Sequence, residues 1–148
     1  MWDTADMTHP LTDALTGLCH EHGLTALYVF GSRAPEIAAR VAGLREPVEH
    51  PESDVDIGVL PPRGGQISSQ GRVRLTHKLE AILGVDRVDL VVLPEAEAFL
   101  AADIVRGELL VATDLDAEAE AQLYFLRRAA DLAPFLREQW RERVGTEL

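Results

Sequence analysis

At 148 residues and 47% hydrophobic content, the chain has the size of one folded domain, residues 1–148, and too much apolar character for a disordered segment. A net charge of −11 argues against nucleic acid as a direct substrate, because counterion displacement from phosphates requires a basic footprint. No apolar run approaches the roughly 20 residues of a membrane span, the N-terminus lacks the pattern of a secretory signal, and the single cysteine, Cys19, points to a cytoplasmic setting.

Taken in order, Leu11, Ala14, Leu15 and Leu18 have helical spacing and predict a helix over Pro10–His22. Thr8 is its expected N-cap, Pro10 lies in its first turn, and Gly23 ends it. Residues 24–30 form a short apolar run that predicts a strand buried on both faces, stopped by Gly31. Ser32 is expected to cap a helix reaching Val41. Residues 43–53 are mostly charged, contain Pro47 and Pro51, and read as a loop. Residues 55–60 predict a second strand, ended by Pro61 and Pro62. Residues 68–83 predict an amphipathic helix with Val73, Leu75, Leu79, Ile82 and Leu83 on one side, ended by Gly84. Residues 86–93 predict a third strand, and residues 95–105 a helix anchored by Phe99 and Leu100. Residues 108–112 read as a short edge strand. A long helix then runs over about 116–143, with Leu123, Phe125, Leu126, Leu132, Phe135, Leu136 and Trp140 as its apolar surface. Alternating helices and strands imply an α/β (α+β) domain: a small mixed sheet flanked by helices.

The chemistry concentrates at three places. Residues i and i+2 of a strand share a face, so Asp54 and Asp56 project together. Two carboxylates this close repel unless a cation lies between them, and a divalent ion with hard oxygen ligands meets that need. Asp89 supplies a third ligand if the third strand lies beside the second, whereas Asp86 has the opposite parity. Gly31 and Ser32 follow a buried strand and precede a helix, an arrangement suited to an anion, with the Ser32 hydroxyl and the Arg33 charge as added contacts. The pair Asp114 and Asp116 has the same spacing as Asp54 and Asp56 but precedes a helical stretch, which makes it a cap. His20 and His22 are two residues apart, on different sides of a helix, so a zinc site is not expected there.

Together, Val29-Phe-Gly-Ser-Arg-Ala, Ser53-Asp-Val-Asp-Ile-Gly-Val and Val88-Asp-Leu-Val-Val-Leu resemble the minimal nucleotidyltransferases of the DNA polymerase beta-like superfamily. Many of these are antitoxins of HEPN/MNT toxin–antitoxin pairs. The resemblance implies a nucleotidyltransferase fold, two Mg²⁺ ions on Asp54, Asp56 and Asp89, and ATP as substrate. It implies nucleotide contacts from Gly31, Ser32, Arg33 and Ser53. It further implies AMP transfer to a hydroxyl, a tyrosine's, on a HEPN ribonuclease toxin partner. The connection between Ser32 and Asp54 is longer than the family's usual one, and Pro35-Glu36 stand where Arg-Gly is common. Two other readings stand beside it: an aminoglycoside-type small-molecule nucleotidyltransferase, and an antitoxin that neutralises by binding alone.

Overall fold

The computed structural model describes residues 10–44, 48 and 51–147. The cap expected at Thr8 and part of the 43–53 loop lie outside the described residues. Four strands, β1 (Ala26–Phe30), β2 (Val55–Leu60), β3 (Val88–Val92) and β4 (Glu108–Ala112), form one sheet in the order β3-β2-β1-β4. β1 is antiparallel to both β2 and β4, while β2 and β3 run parallel. The parallel pair needs a crossover, and the helix α3 (Ser69–Leu83) provides it. The mixed sheet with flanking helices is the expected architecture.

Alternation divides the sheet side chains between two layers. One face presents Leu27, Val29, Val55, Ile57, Val59, Val88 and Val92. It is covered by α1 (Pro10–His22) through Leu15 and Leu18, by α2 (Ala34–Val41) through Ile37, and by α3 through Leu75, Leu79 and Leu83. The other face presents Ala26, Tyr28 and Leu60 to α4 (Ala98–Arg106) and α5 (Leu115–Glu147). Tyr28 is fully buried there, and its hydroxyl donates to Glu118 of α5 at 2.6 Å. Gly58 lies under Ile104 of α4, so close that a Cβ at Gly58 would stand 2.5 Å from the Ile104 methyl.

Several local expectations need correction. Ser32 is not the cap of α2: the chain turns through Gly31 and Ser32, and Arg33 takes the N-cap position without a side-chain bond to the helix. Ser68 does cap α3, its hydroxyl accepting from the Gly71 N–H at 3.0 Å. Val73 faces solvent rather than the core. A 3₁₀ turn at Leu93–Glu95 delays α4 to Ala98, so Ala98, Ala101, Ile104 and Val105 anchor that helix while Leu100 is exposed. Asp114, not Asp116, caps α5, accepting from the Ala117 N–H at 3.0 Å. Of the apolar residues expected to bury α5, Phe125 is buried; Leu123, Leu132, Phe135, Leu136 and Trp140 are exposed. At 33 residues the helix is roughly 50 Å long, and among the described residues its burial stops at Ala129. No helix among the described residues is long and apolar enough to cross a membrane.

Candidate active site

The register of three strands builds the site. Phe30 of β1 pairs with Asp56 of β2, and Asp56 pairs with Asp89 of β3. The parallel ladder thus sets Asp56 and Asp89 side by side on neighbouring strands about 4.8 Å apart. Asp54 lies two residues before Asp56 and just outside the ladder. This row is the next one beyond Gly58 on the face covered by α4 and α5. Asp89 and Asp54 are exposed, and Asp56 is half-buried. Sequence parity puts the three carboxylates on one face, and the ladder sets the Asp56 and Asp89 backbones side by side.

Gly31 closes the site from the side of β1. Its φ is +80°, a conformation that favours glycine. A Cβ at this position would meet Asp56 Oδ2 at 2.2 Å. The turn therefore lies directly against the Asp56 carboxylate, and the missing side chain is what permits that approach. Partial burial, then the charges of Asp89 and Asp54, raise the Asp56 pKa above its ordinary value. The hard oxygens of the three carboxylates are the donor set a Mg²⁺ ion takes. The side chains are nonetheless splayed. Among the described residues no group of three acidic, histidine or cysteine side chains is drawn close enough to hold a metal ion as it stands. Asp54 Oδ1 lies 3.9 Å from the guanidinium of Arg87. The donor chemistry fits a divalent cation, and inward rotation of exposed Asp54 and Asp89 is the adjustment it requires.

The anion side differs from the expectation in detail. The Ala34 N–H donates to Gly31 O at 3.2 Å, and Pro35 has no N–H, so the first turn of α2 offers little to a phosphate. Ser32 is exposed at the turn. Arg33 is 8% exposed, and its guanidinium faces inward. Its Nε and Nη2 donate to the two carboxylate oxygens of Glu36 at 3.0 and 2.7 Å, and its Nη1 donates to Ser53 O at 3.2 Å. Ser53, expected among the nucleotide contacts, thus receives Arg33 through its carbonyl. Glu36 also accepts from Arg40 at 2.7 Å. Sequence reasoning passed over Glu36, Arg40 and Arg87. The i, i+3 and i, i+4 spacing of Arg33, Glu36 and Arg40 was a readable signal. The approach of Arg87 to Asp54 depends on the register of β2 against β3, which the sequence does not print.

A family model described as polymerase beta, nucleotidyltransferase matches residues 15–116, more than half of the chain. No curated protein matches. Among solved structures, a mutant of the MntA-HpeT toxin–antitoxin is similar with a TM-score of 0.65 and 22% identity, covering 90% of this chain and 98% of that one. A toxin–antitoxin with AMP-PNP is similar with a TM-score of 0.62 and 23% identity, covering 90% and 98%. The tri-AMPylated Shewanella oneidensis HEPN toxin in complex with MNT antitoxin provides a third match, with a TM-score of 0.61 and 23% identity, covering 90% and 96%. At these identities the likeness is one of fold.

Proposed function

The chain belongs to the polymerase beta nucleotidyltransferase family, and from that premise we propose that it is an antitoxin that transfers AMP from ATP to a tyrosine hydroxyl of a HEPN-type ribonuclease toxin, silencing it in the cytoplasm. The observation that carries the reading is the row in which Asp56 pairs with Asp89 while Gly31 lies against the Asp56 carboxylate. It sets an acidic cluster beside the turn that exposes Ser32. The similar solved folds support the choice of donor and partner: one has AMP-PNP, and another is an AMPylated HEPN toxin with its MNT antitoxin.

Two Mg²⁺ ions held by Asp54, Asp56 and Asp89 would supply the positive charge that triphosphate and carboxylates both need. The Ser32 hydroxyl, exposed at the turn, donates to a phosphate oxygen. The acceptor hydroxyl oxygen forms its bond to the α-phosphorus as the bond to pyrophosphate breaks. Asp89, exposed beside Asp56, takes the hydroxyl proton. The acidic surface favours a partner with basic patches over a polyanion.

Incubation with ATP and Mg²⁺, with and without the product of a neighbouring helical HEPN gene, tests the proposal by intact mass. The expected result is AMP added to the partner, lost on chelation and lost in the Asp54→Asn/Asp56→Asn double variant. No added mass on any partner under these conditions defeats it. The splayed carboxylates favour one second reading, neutralisation by binding alone. A double variant that still neutralises the toxin selects it.

A further inference from the structure

Asp54 occupies an exposed position just before the β2 ladder begins. On its C-terminal side the chain is fixed, because the Val55 N–H donates to Arg87 O at 2.9 Å and Val55 pairs with Val88. On its N-terminal side the chain arrives from the long connection after α2. Among the described residues, that side is tied by the bond from Arg33 Nη1 to Ser53 O, reaching across 20 residues. Every donor-bearing nitrogen of the Arg33 head group is engaged, two on Glu36 and one on Ser53. Both members of the pair are buried. For Arg33 to reach a phosphate, it must abandon a buried carboxylate, which is strongly unfavourable. From Glu36 the network continues to Arg40, whose Nη1 donates to Leu83 O at 2.6 Å. Leu83 is the last residue of α3, and α3 leads into the strand that carries Asp89. One ion-pair network, buried at Arg33 and Glu36 and partly exposed at Arg40, thus starts beside the Gly31–Ser32 turn and reaches both chain segments that deliver carboxylates to the site.

We infer that Arg33 and Glu36 are positioning residues for the Asp54 carboxylate, holding Ser53 so that the length of the preceding loop does not loosen the metal-binding cluster, and that Arg33 is not a phosphate ligand. The inference rests on the reading of Asp54, Asp56 and Asp89 as cation ligands. Its chemical logic is geometric. A planar guanidinium can bond both oxygens of one carboxylate and still offer an N–H to a third acceptor, whereas a lysine ammonium cannot span that fork.

The test compares wild type with Arg33→Lys, which keeps a cation beside Glu36, and with Arg33→Gln. Asp54→Asn serves as the control. Three quantities are read: Mn²⁺ affinity without nucleotide, ATP affinity at saturating Mn²⁺, and hydrogen exchange of the amides in 53–55. Arg33→Lys is expected to weaken nucleotide-free Mn²⁺ binding about tenfold and to speed exchange at 53–55, with ATP affinity at saturating Mn²⁺ within about twofold of wild type. Arg33→Gln should move the same way. Unchanged Mn²⁺ affinity with weakened ATP binding would make Arg33 a phosphate ligand and overturn the inference. Faster exchange with unchanged Mn²⁺ affinity would reduce the pair to a structural role and also overturn it. If wild type shows no Mn²⁺ binding that Asp54→Asn removes, the functional reading fails first, and this inference with it. That outcome is distinct from a wild type that binds and variants that bind equally well.

Discussion

At the scale of single residues, the Asp56 carboxylate is the most constrained group of the site. Burial and the neighbouring charges of Asp89 and Asp54 raise its pKa in the folded chain above the ordinary 3.8. The folded state therefore binds the proton more tightly than the unfolded chain does. The resulting penalty is present above the folded pKa, shrinks as pH falls through it, and is gone below 3.8. In chelator at pH 7, Asp56→Asn should raise Tm. The group is mostly solvent-screened, so the gain is below about 1 kcal/mol, a few degrees at most. The gain should vanish in melts near pH 3. Mg²⁺ should raise the Tm of wild type and not of this variant, and the variant should lose AMP transfer. A second prediction concerns Gly31. Gly31→Ala adds strain at φ +80° and a Cβ 2.2 Å from Asp56 Oδ2. It should cost about 1–3 kcal/mol in chemical denaturation and lower transfer at least tenfold. The carboxylates were legible in the sequence because strand parity is a local property. The inward turn of Arg33 was not, because it depends on a buried carboxylate and a carbonyl 20 residues away.

At the scale of elements, two of the contacts that join α5 and α4 to the sheet are easily distinguished by mutation. The Tyr28 hydroxyl reaches Glu118 across the β1–α5 boundary, and Gln122 donates to the same Glu118 oxygen. Burial, helped by that bond, holds the phenol protonated far above its ordinary range. Tyr28→Phe leaves the buried carboxyl one donor short and should cost about 1–3 kcal/mol, read from the denaturation midpoint. Gly58→Ala acts on α4 instead, forcing Ile104 away from the sheet, and should cost about 1–3 kcal/mol by overpacking. Restoring room with Gly58→Ala/Ile104→Val should recover part of that loss. Strand identities were readable from short apolar runs ended by glycine or proline. The partners of α4 were misread because Phe99 and Leu100 are larger than the alanines that pack. Which face of α4 meets the sheet is a tertiary property that hydrophobicity alone does not report.

For the whole molecule, the distal part of the C-terminal helix is exposed among the described residues, and the 43–53 segment stands out in the sequence as a long connection. The helix pattern in α5 was plain from the sequence, but which of its apolar residues are buried depends on where the body ends. Because burial on α5 stops at Ala129 among the described residues, truncation after Ala130 should leave Tm within a few degrees of the full chain. A collapse of Tm on truncation would show that the distal helix packs in the native state. Shortening 43–53 while keeping Ser53, Asp54, Val55 and Asp56 should leave stability and ATP binding intact, because loop closure entropy changes slowly with length. The expected loss is confined to modification of the partner, since loops of this kind carry recognition. Unchanged modification would reduce the segment to a neutral insertion.

The Phe30–Asp56–Asp89 row spans three strands, and neither of its two joints is local in sequence. One joint closes through the long connection between β1 and β2; the other waits for the α3 crossover. Contacts of this separation form late in folding, after the loop entropy has been overcome. Because side chains alternate along a strand, a one-residue slip in either ladder would send Asp56 to the opposite face from its partner. On the proposed reading, recovery of cation binding at this row reports the last step of sheet assembly. In a refolding experiment, the recovery of Mn²⁺ binding should lag behind the recovery of helix signal, and should coincide with the final burial of Tyr28.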